Sequence, residues 1–126
     1  GVSKSTLTYH DKIEPAQEEA KSAGQLVFVN FTGVTCTNCR VMEDNVLPDP
    51  AVSGELKDFA RAELYTDRSI PADRANAQLR EQLTQSVTNP VYVVMTADRK
   101  VLGVQQGASS VEEFVKFLKE AKVKNK

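Results

Sequence analysis

A chain of 126 residues with 40% hydrophobic side chains can bury one core of ordinary size and is too short for two domains. Its 16 basic and 17 acidic side chains leave a formal net charge of -1, so no general attraction to nucleic acid or to an anionic membrane follows, and nucleic acid is not expected as a partner. No apolar run reaches the roughly 20 residues that span a bilayer, and the two cysteines are too few for a structural disulfide framework.

The chain begins Gly1-Val2-Ser3 without an initiator Met or a secretory signal, as expected of a processed protein or a domain cut from a longer one, so the missing signal says nothing about compartment. Residues 1–12 read as an N-terminal extension, with a short edge strand at residues 7–9 and His10 exposed in a loop. A helix is predicted over residues 13–23, since Pro15 suits a first turn and Gly24 supplies a stop. Residues 25–31 form a nearly continuous apolar run, the pattern of a buried strand. The helix that follows carries Met42 and Val46 four apart on one face and stops at Pro48. Asp49-Pro50 restarts a helix with an acid at the N-cap and proline at its first position, and Val52 and Leu56 mark its buried side.

Residues 59–66 alternate, Ala60, Ala62 and Leu64 against Arg61, Glu63 and Tyr65, as a half-buried strand does. Over residues 72–83, Ala72, Ala75, Leu79 and Leu83 recur at helical spacing and predict one apolar stripe. Asn89-Pro90 breaks the chain before a strand at residues 91–95. Asp98-Arg99-Lys100 turns it, and residues 101–106 return as the second arm of a hairpin. Ser110 and Glu113 form a capping box for a last helix that turns Val111, Phe114, Val115 and Leu118 inward, and residues 122–126 are expected to fray. Met42 and Met95 read as core, and Gly33 and Gly107 as turns with unusual backbone angles. The order implies a single α/β domain. Parallel pairing through right-handed crossovers comes first and an antiparallel hairpin follows, giving a mixed central β-sheet flanked by helices on both faces.

The chemistry concentrates where the apolar strand ends. Cys36 and Cys39 sit at a strand-to-helix junction, separated by Thr37-Asn38. At a helix N-terminus the unpaired N–H groups and the positive end of the dipole stabilise a Cys36 thiolate. Cys39, one turn in, can reach its sulfur, which suits reversible exchange: one thiolate attacks and the other resolves the mixed disulfide. Such chemistry needs no cofactor beyond the Cys36–Cys39 disulfide itself. The same pair could hold a metal instead. Structural zinc wants four ligands and His10 is the only other candidate, far away in sequence, whereas two thiolates suffice for a soft ion such as Cu(I).

On these residues the chain resembles a thioredoxin-fold protein from about Ile13 onward. The strand-turn-Cys-x-x-Cys-helix, the proline that opens the penultimate strand (Pro90) and the capped C-terminal helix stand at matching separations. The run Phe31-Thr32-Gly33, Thr35-Cys36, Asn38-Cys39-Arg40 and Met42-Glu43, followed by Glu63-Leu64-Tyr65-Thr66-Asp67, is most similar to the C-terminal thioredoxin-like domain of bacterial transmembrane thiol:disulfide interchange proteins. The resemblance implies a thiol:disulfide oxidoreductase that reduces or exchanges disulfides of partner proteins. It implies a periplasmic or otherwise extracytoplasmic place and an upstream thiol electron donor, such as a membrane domain of the same full-length protein. A monomer is expected. In that family the proline matching Pro90 is cis and lies beside the disulfide, and the backbone of the residue before it, here Asn89, pairs with an extended substrate segment.

Four departures set the sequence apart from the wider family. Thr35 stands where a Trp usually precedes the first Cys, and Thr37-Asn38 replaces Gly-Pro, a pair that helps set the reduction potential. Asn30 replaces a buried Asp six residues before the first Cys, and Glu63 stands where a Lys often pairs with that Asp. The proton of the resolving thiol then needs another acceptor. Glu43 lies four residues after Cys39, on the same helix face, and an acid at that spacing recurs in the interchange-protein domains. Glu63 is the second candidate if its strand neighbours Asn30. A buried carboxylate has a raised pKa and can take a thiol proton near neutral pH, whereas a solvated one cannot. Arg40 either favours a nearby thiolate or sits on an exposed helix face. The competing functions are an oxidant or isomerase on the same fold, and a metallochaperone or non-catalytic binding module.

Overall fold

The apolar run that reads as a strand is buried at every position except its first, and it becomes the centre of the sheet. The computed structural model describes residues 7–125. Its elements are α1 (Ile13–Ala23), β1 (Leu26–Thr32), α2 (Thr37–Asn45), α3 (Pro50–Leu56), β2 (Phe59–Tyr65), α4 (Pro71–Thr84), β3 (Val91–Met95), β4 (Val101–Gln106) and α5 (Val111–Lys124). β1 pairs in parallel with β2 and antiparallel with β3, and β4 closes the far side as the hairpin partner of β3, giving the order β2-β1-β3-β4.

A strand buried on both faces needs cover on both. On one face α1 and α4 bring Ile13, Ala16, Ala20 and Leu79 against Val27, Val29, Phe31 and Leu64. On the other α2, α3 and α5 bring Met42, Val52, Leu56, Phe114 and Leu118 against Phe28, Phe59 and Tyr92. Phe28 stacks on Tyr92 with ring centroids 5.9 Å apart, and Phe114 meets both rings edge-on. The mixed sheet with helices on both faces is the architecture that the element order implies.

Several local expectations are corrected. No strand forms at residues 7–9. His10 alone bridges to Ala62, its N–H donating to the Arg61 carbonyl and its carbonyl accepting from the Glu63 N–H, each at 2.9 Å. Next to the bridge, Arg61 Nε donates to the Thr8 carbonyl at 3.1 Å. His10 is half-buried rather than exposed, with Nε2 at 2.9 Å from the Glu19 carboxylate. Residues 1–6 of the expected extension lie outside the described residues.

The apolar stripe of α4 is also different. Ala72 and Ala75 are exposed, while Asp73, Leu79 and Arg80 are buried. Alanine buries too little apolar area to set a helix phase, and here polar partners set it: Arg68 grips Asp73 through Nε and Nη2, each at 2.9 Å. At the other end, residues 122–124 are helical in the structure. α5 runs to Lys124, and Lys122 Nζ holds Glu55 at 3.0 Å and Asp58 at 3.3 Å. Lys126 lies outside the described residues. Gly107 has the positive φ expected of it (77°), but Gly33 does not, and its reason is proximity.

Candidate active site

Cys36 is the N-cap of α2, and its sulfur accepts a hydrogen bond from the Cys39 N–H at 3.1 Å. The two sulfurs are joined in a disulfide, with the Cα atoms 5.2 Å apart. Cys36 is half-buried and Cys39 wholly buried. That asymmetry would divide the chemistry of such a pair: the less buried cysteine lies in the field of a helix N-terminus that stabilises a thiolate and is the one a partner could reach, and the buried one could act only on its neighbour. Thr37 and Asn38 are exposed in the first turn of α2 and border the accessible sulfur.

The loop leading to Cys36 is held from below. Asp67, just past β2, accepts from the Val34 N–H at 2.9 Å, the Thr35 N–H at 3.1 Å and the Thr35 hydroxyl at 3.0 Å. These bonds, the one from Val34 foremost, hold the Asp67 carboxyl below the usual carboxylate range against a smaller desolvation effect. Thr35, in the position of the missing Trp, therefore ties the loop down through its hydroxyl. Gly33 is needed because a Cβ there would stand 2.8 Å from Asp67 Oδ2 and 3.0 Å from Asn89 Nδ2.

Asn89 belongs to a second polar knot. Its amide donates to Thr66 Oγ1 at 2.8 Å and to the Thr32 carbonyl at 3.4 Å, and its Oδ1 accepts from Arg80 Nη1 at 2.5 Å. Arg80 Nη1 also donates to Thr66 Oγ1 at 3.1 Å, and that hydroxyl donates to the Thr32 carbonyl at 3.1 Å. The Asn89-Pro90 peptide bond is cis, Pro90 is buried, and its carbonyl accepts from the Gly107 N–H at 2.9 Å. Among the described residues no hydrogen bond engages the main-chain N–H or carbonyl of Asn89.

The side of the sheet beneath α2 carries the acids. Asn30 lies opposite Glu63 on β2 and Tyr92 on β3. It is wholly buried, and neither end of its carboxamide has a partner among the described residues; the Tyr9 and Tyr92 hydroxyls are buried in the same condition. Glu43 accepts from the Thr32 hydroxyl at 2.8 Å and pairs with Arg40 at 2.9 Å. Arg40 donates to Thr32 Oγ1 as well, at 3.1 Å, so its charge is engaged by Glu43 rather than left free on an exposed face. Glu43, Glu63, Arg40 and Tyr9 line a cavity of about 460 Å³. Burial above all, then the Glu43 charge, raises the Glu63 carboxyl above its usual range, and Arg40 only partly opposes this. Of the two candidate acids, Glu43 is held in an ion pair with Arg40, and Glu63 is the one whose carboxyl is raised above its usual range.

Asp67 and Arg80 have no role in the sequence reading. Asp67 closes the Glu63-to-Asp67 run, but its partners lie 32 and 33 residues away. Arg80 is hidden by the alanine spacing of α4, although Asp73, Asn76, Ala77 and Arg80 mark a second helical face. Among the described residues no group of three or more His, Cys, Asp or Glu side chains is placed to hold a metal ion, and no helix is long and apolar enough to cross a membrane.

The family model described as the Thioredoxin-like domain matches residues 13–122. The thiol:disulfide interchange protein DsbD 1 of Pseudomonas aeruginosa is 32% identical over 68 residues, which is 54% of this chain and 12% of that protein, so the chain spans only a small part of this relative. A thioredoxin from Thermus thermophilus superposes with a TM-score of 0.80 at 26% identity, covering 94% of this chain and 89% of that one. The oxidised C-terminal domain of Neisseria meningitidis DsbD gives 0.73 at 14% identity, covering 90% and 99%, a likeness of fold. Family match, sheet order and a disulfide seated at the start of α2 agree, and the chain belongs to the Thioredoxin-like domain family as a thiol:disulfide oxidoreductase.

Proposed function

We propose that this domain reduces disulfides of partner proteins in an extracytoplasmic, periplasmic setting, working as a monomer and refilled by an upstream thiol donor. The observation that carries the reading is the pairing of an accessible Cys36 sulfur with a buried Cys39 at the α2 N-terminus. The match to a bacterial thiol:disulfide interchange protein supports thiol exchange with a partner protein, while the direction, the compartment and a donor on a membrane domain of the same full-length protein follow from the family resemblance of the run at residues 36–43.

In the first step the Cys36 thiolate attacks one sulfur of the partner's disulfide. That S–S bond breaks, a Cys36–partner bond forms, and the other partner sulfur leaves as a thiolate. The partner segment lies along Asn89-Pro90, where the unpaired Asn89 N–H and carbonyl are available to it. Cys39 then yields its proton to the acid cluster, with Glu63 the acceptor and Glu43 fixing Arg40 beside it. The Cys39 thiolate attacks Cys36, restoring the Cys36–Cys39 disulfide and releasing the second partner thiolate. The partner gains two electrons and the cysteine pair loses two.

Replacing Cys39 with Ser is expected to trap the Cys36–partner adduct, visible as a reductant-sensitive band. Equilibration in defined thiol buffers is expected to give a potential near or below about −220 mV. A value near about −120 mV makes the protein an oxidant and reverses the proposed flow. Failure to form a disulfide at all leaves the metal-binding or binding-module reading.

A further inference from the structure

Arg80 is a buried cation, 8% exposed, that no carboxylate pairs with among the described residues, and its Nε has no hydrogen-bond partner. Burial lowers its pKa. An unpaired interior charge is an expensive feature, and an apolar side chain of similar length would serve packing better. What Arg80 does instead is specific. Arginine can only donate, so Nη1 fixes Oδ1 of Asn89 towards itself and turns Nδ2 onto Thr66 and Thr32. Left unfastened, an asparagine side chain competes for nearby main-chain N–H and carbonyl groups, its own included. Fastened here, it leaves the Asn89 main chain unpaired beside the disulfide loop, and Gly33 lets its amide pass close beneath that loop.

We propose that Arg80 is a positioning residue for partner docking: it fastens the Asn89 side chain so that the Asn89 main chain is presented, unpaired, to an extended polypeptide. This rests on the disulfide-reductase reading above and adds to it a preference for polypeptide disulfides over small ones, set from α4. Recognition through main-chain groups gives grip without demanding a particular side chain.

The test compares two reagents on the reduced protein in a Cys39→Ala background. One is dithionitrobenzoate; the other is a short extended peptide whose single cysteine is joined to thionitrobenzoate. In each, Cys36 attacks a sulfur, one S–S bond forms as one breaks, and thionitrobenzoate leaves as a coloured thiolate. With Arg80 present the peptide is expected to react faster than its sulfur chemistry alone dictates. Arg80→Met is expected to slow the peptide reaction about tenfold, the scale of one lost hydrogen bond to a charged group, while the small-reagent rate and the midpoint of its pH profile stay in place. Arg80→Lys, which keeps a donor, is expected to recover part of the loss.

An equal fall with both reagents, or a displaced pH midpoint, overturns the proposal by making Arg80 a structural or electrostatic element. Should Arg80→Met fail to unfold cooperatively, Thr66→Val removes the hydroxyl shared by Arg80 and Asn89 and is expected to give the same selective loss. An unchanged peptide rate in that variant overturns the proposal equally. If the parent with Arg80 reacts with neither reagent, the reductase reading itself falls; if it reacts with both and Arg80→Met changes nothing, only the role of Arg80 does.

Discussion

Glu63 shows how far a side chain's chemistry depends on its neighbours. Both acids are visible in the sequence at spacings that invite a proton role, yet only the folded chain separates them. Glu43 finds Arg40 at the i,i+3 spacing, which is legible, and the Thr32 hydroxyl, which is not. Glu63 becomes the unusual one through burial and through its place opposite Asn30, a relation that only strand pairing supplies. Its folded pKa lies above its unfolded value, so its contribution to stability is fully present below the unfolded pKa and is lost as pH rises through the folded one. Glu63→Gln removes that loss. Urea titrations across pH are expected to show the variant gaining on the parent from the carboxylate range up to neutrality, with little difference in strong acid. Resolution of a preformed Cys36 mixed disulfide is expected to slow at least about tenfold, since a positioned base is gone. An unchanged resolution rate would hand the proton to another acceptor.

Short-range chemistry made whole elements easy to place, and long-range chemistry hid their seams. The hairpin strands and the α5 capping box follow from residues a few positions apart, and the structure has Val91–Met95, Val101–Gln106 and the Ser110–Glu113 box where the sequence places them. The α4 stripe failed because its inward face is polar and its partners belong to other segments. The loop before Cys36 has the same character, being tied to Asp67 across more than 30 positions. Gly33→Ala tests this tie. The added methyl group would meet Asp67 Oδ2 at 2.8 Å, so the carboxylate must move and loosen its bonds to Val34 and Thr35. A destabilisation of about 1–3 kcal/mol is expected, the usual scale of overpacking. Because Asp67 titrates below its unfolded value, the stability it adds is present above the unfolded carboxylate pKa and is lost as pH falls through the folded one. The gap between parent and Gly33→Ala should therefore be full at neutral pH and narrow in acid. A gap constant with pH would mean that the methyl group strains the backbone without disturbing Asp67.

At the scale of the molecule, folding and electron transfer are one equilibrium. The order of strands and helices, and hence the layered sheet, could be read from hydrophobic period and turn residues. The direction of electron flow could not, because it is a small difference between two folded states that share that architecture. Two features of the site pull in opposite directions. The α2 N-terminus and the Cys39 N–H favour a Cys36 thiolate and so the dithiol form. The fold also holds the two Cα atoms 5.2 Å apart, within the span a disulfide requires, and this preorganisation favours the disulfide. If the domain donates electrons, the second pull must win, and the folded structure must stabilise the disulfide more than the dithiol. Linkage makes this measurable without any partner: the stability difference between the oxidised and reduced forms equals the shift in potential that folding imposes, with about 30 mV for each 1.4 kcal/mol. Urea unfolding in oxidising and in reducing buffer is expected to place the oxidised midpoint higher. A higher midpoint for the reduced protein would show the fold holding the dithiol, the arrangement of a strong oxidant, and electrons would then run from partner to Cys36–Cys39 instead.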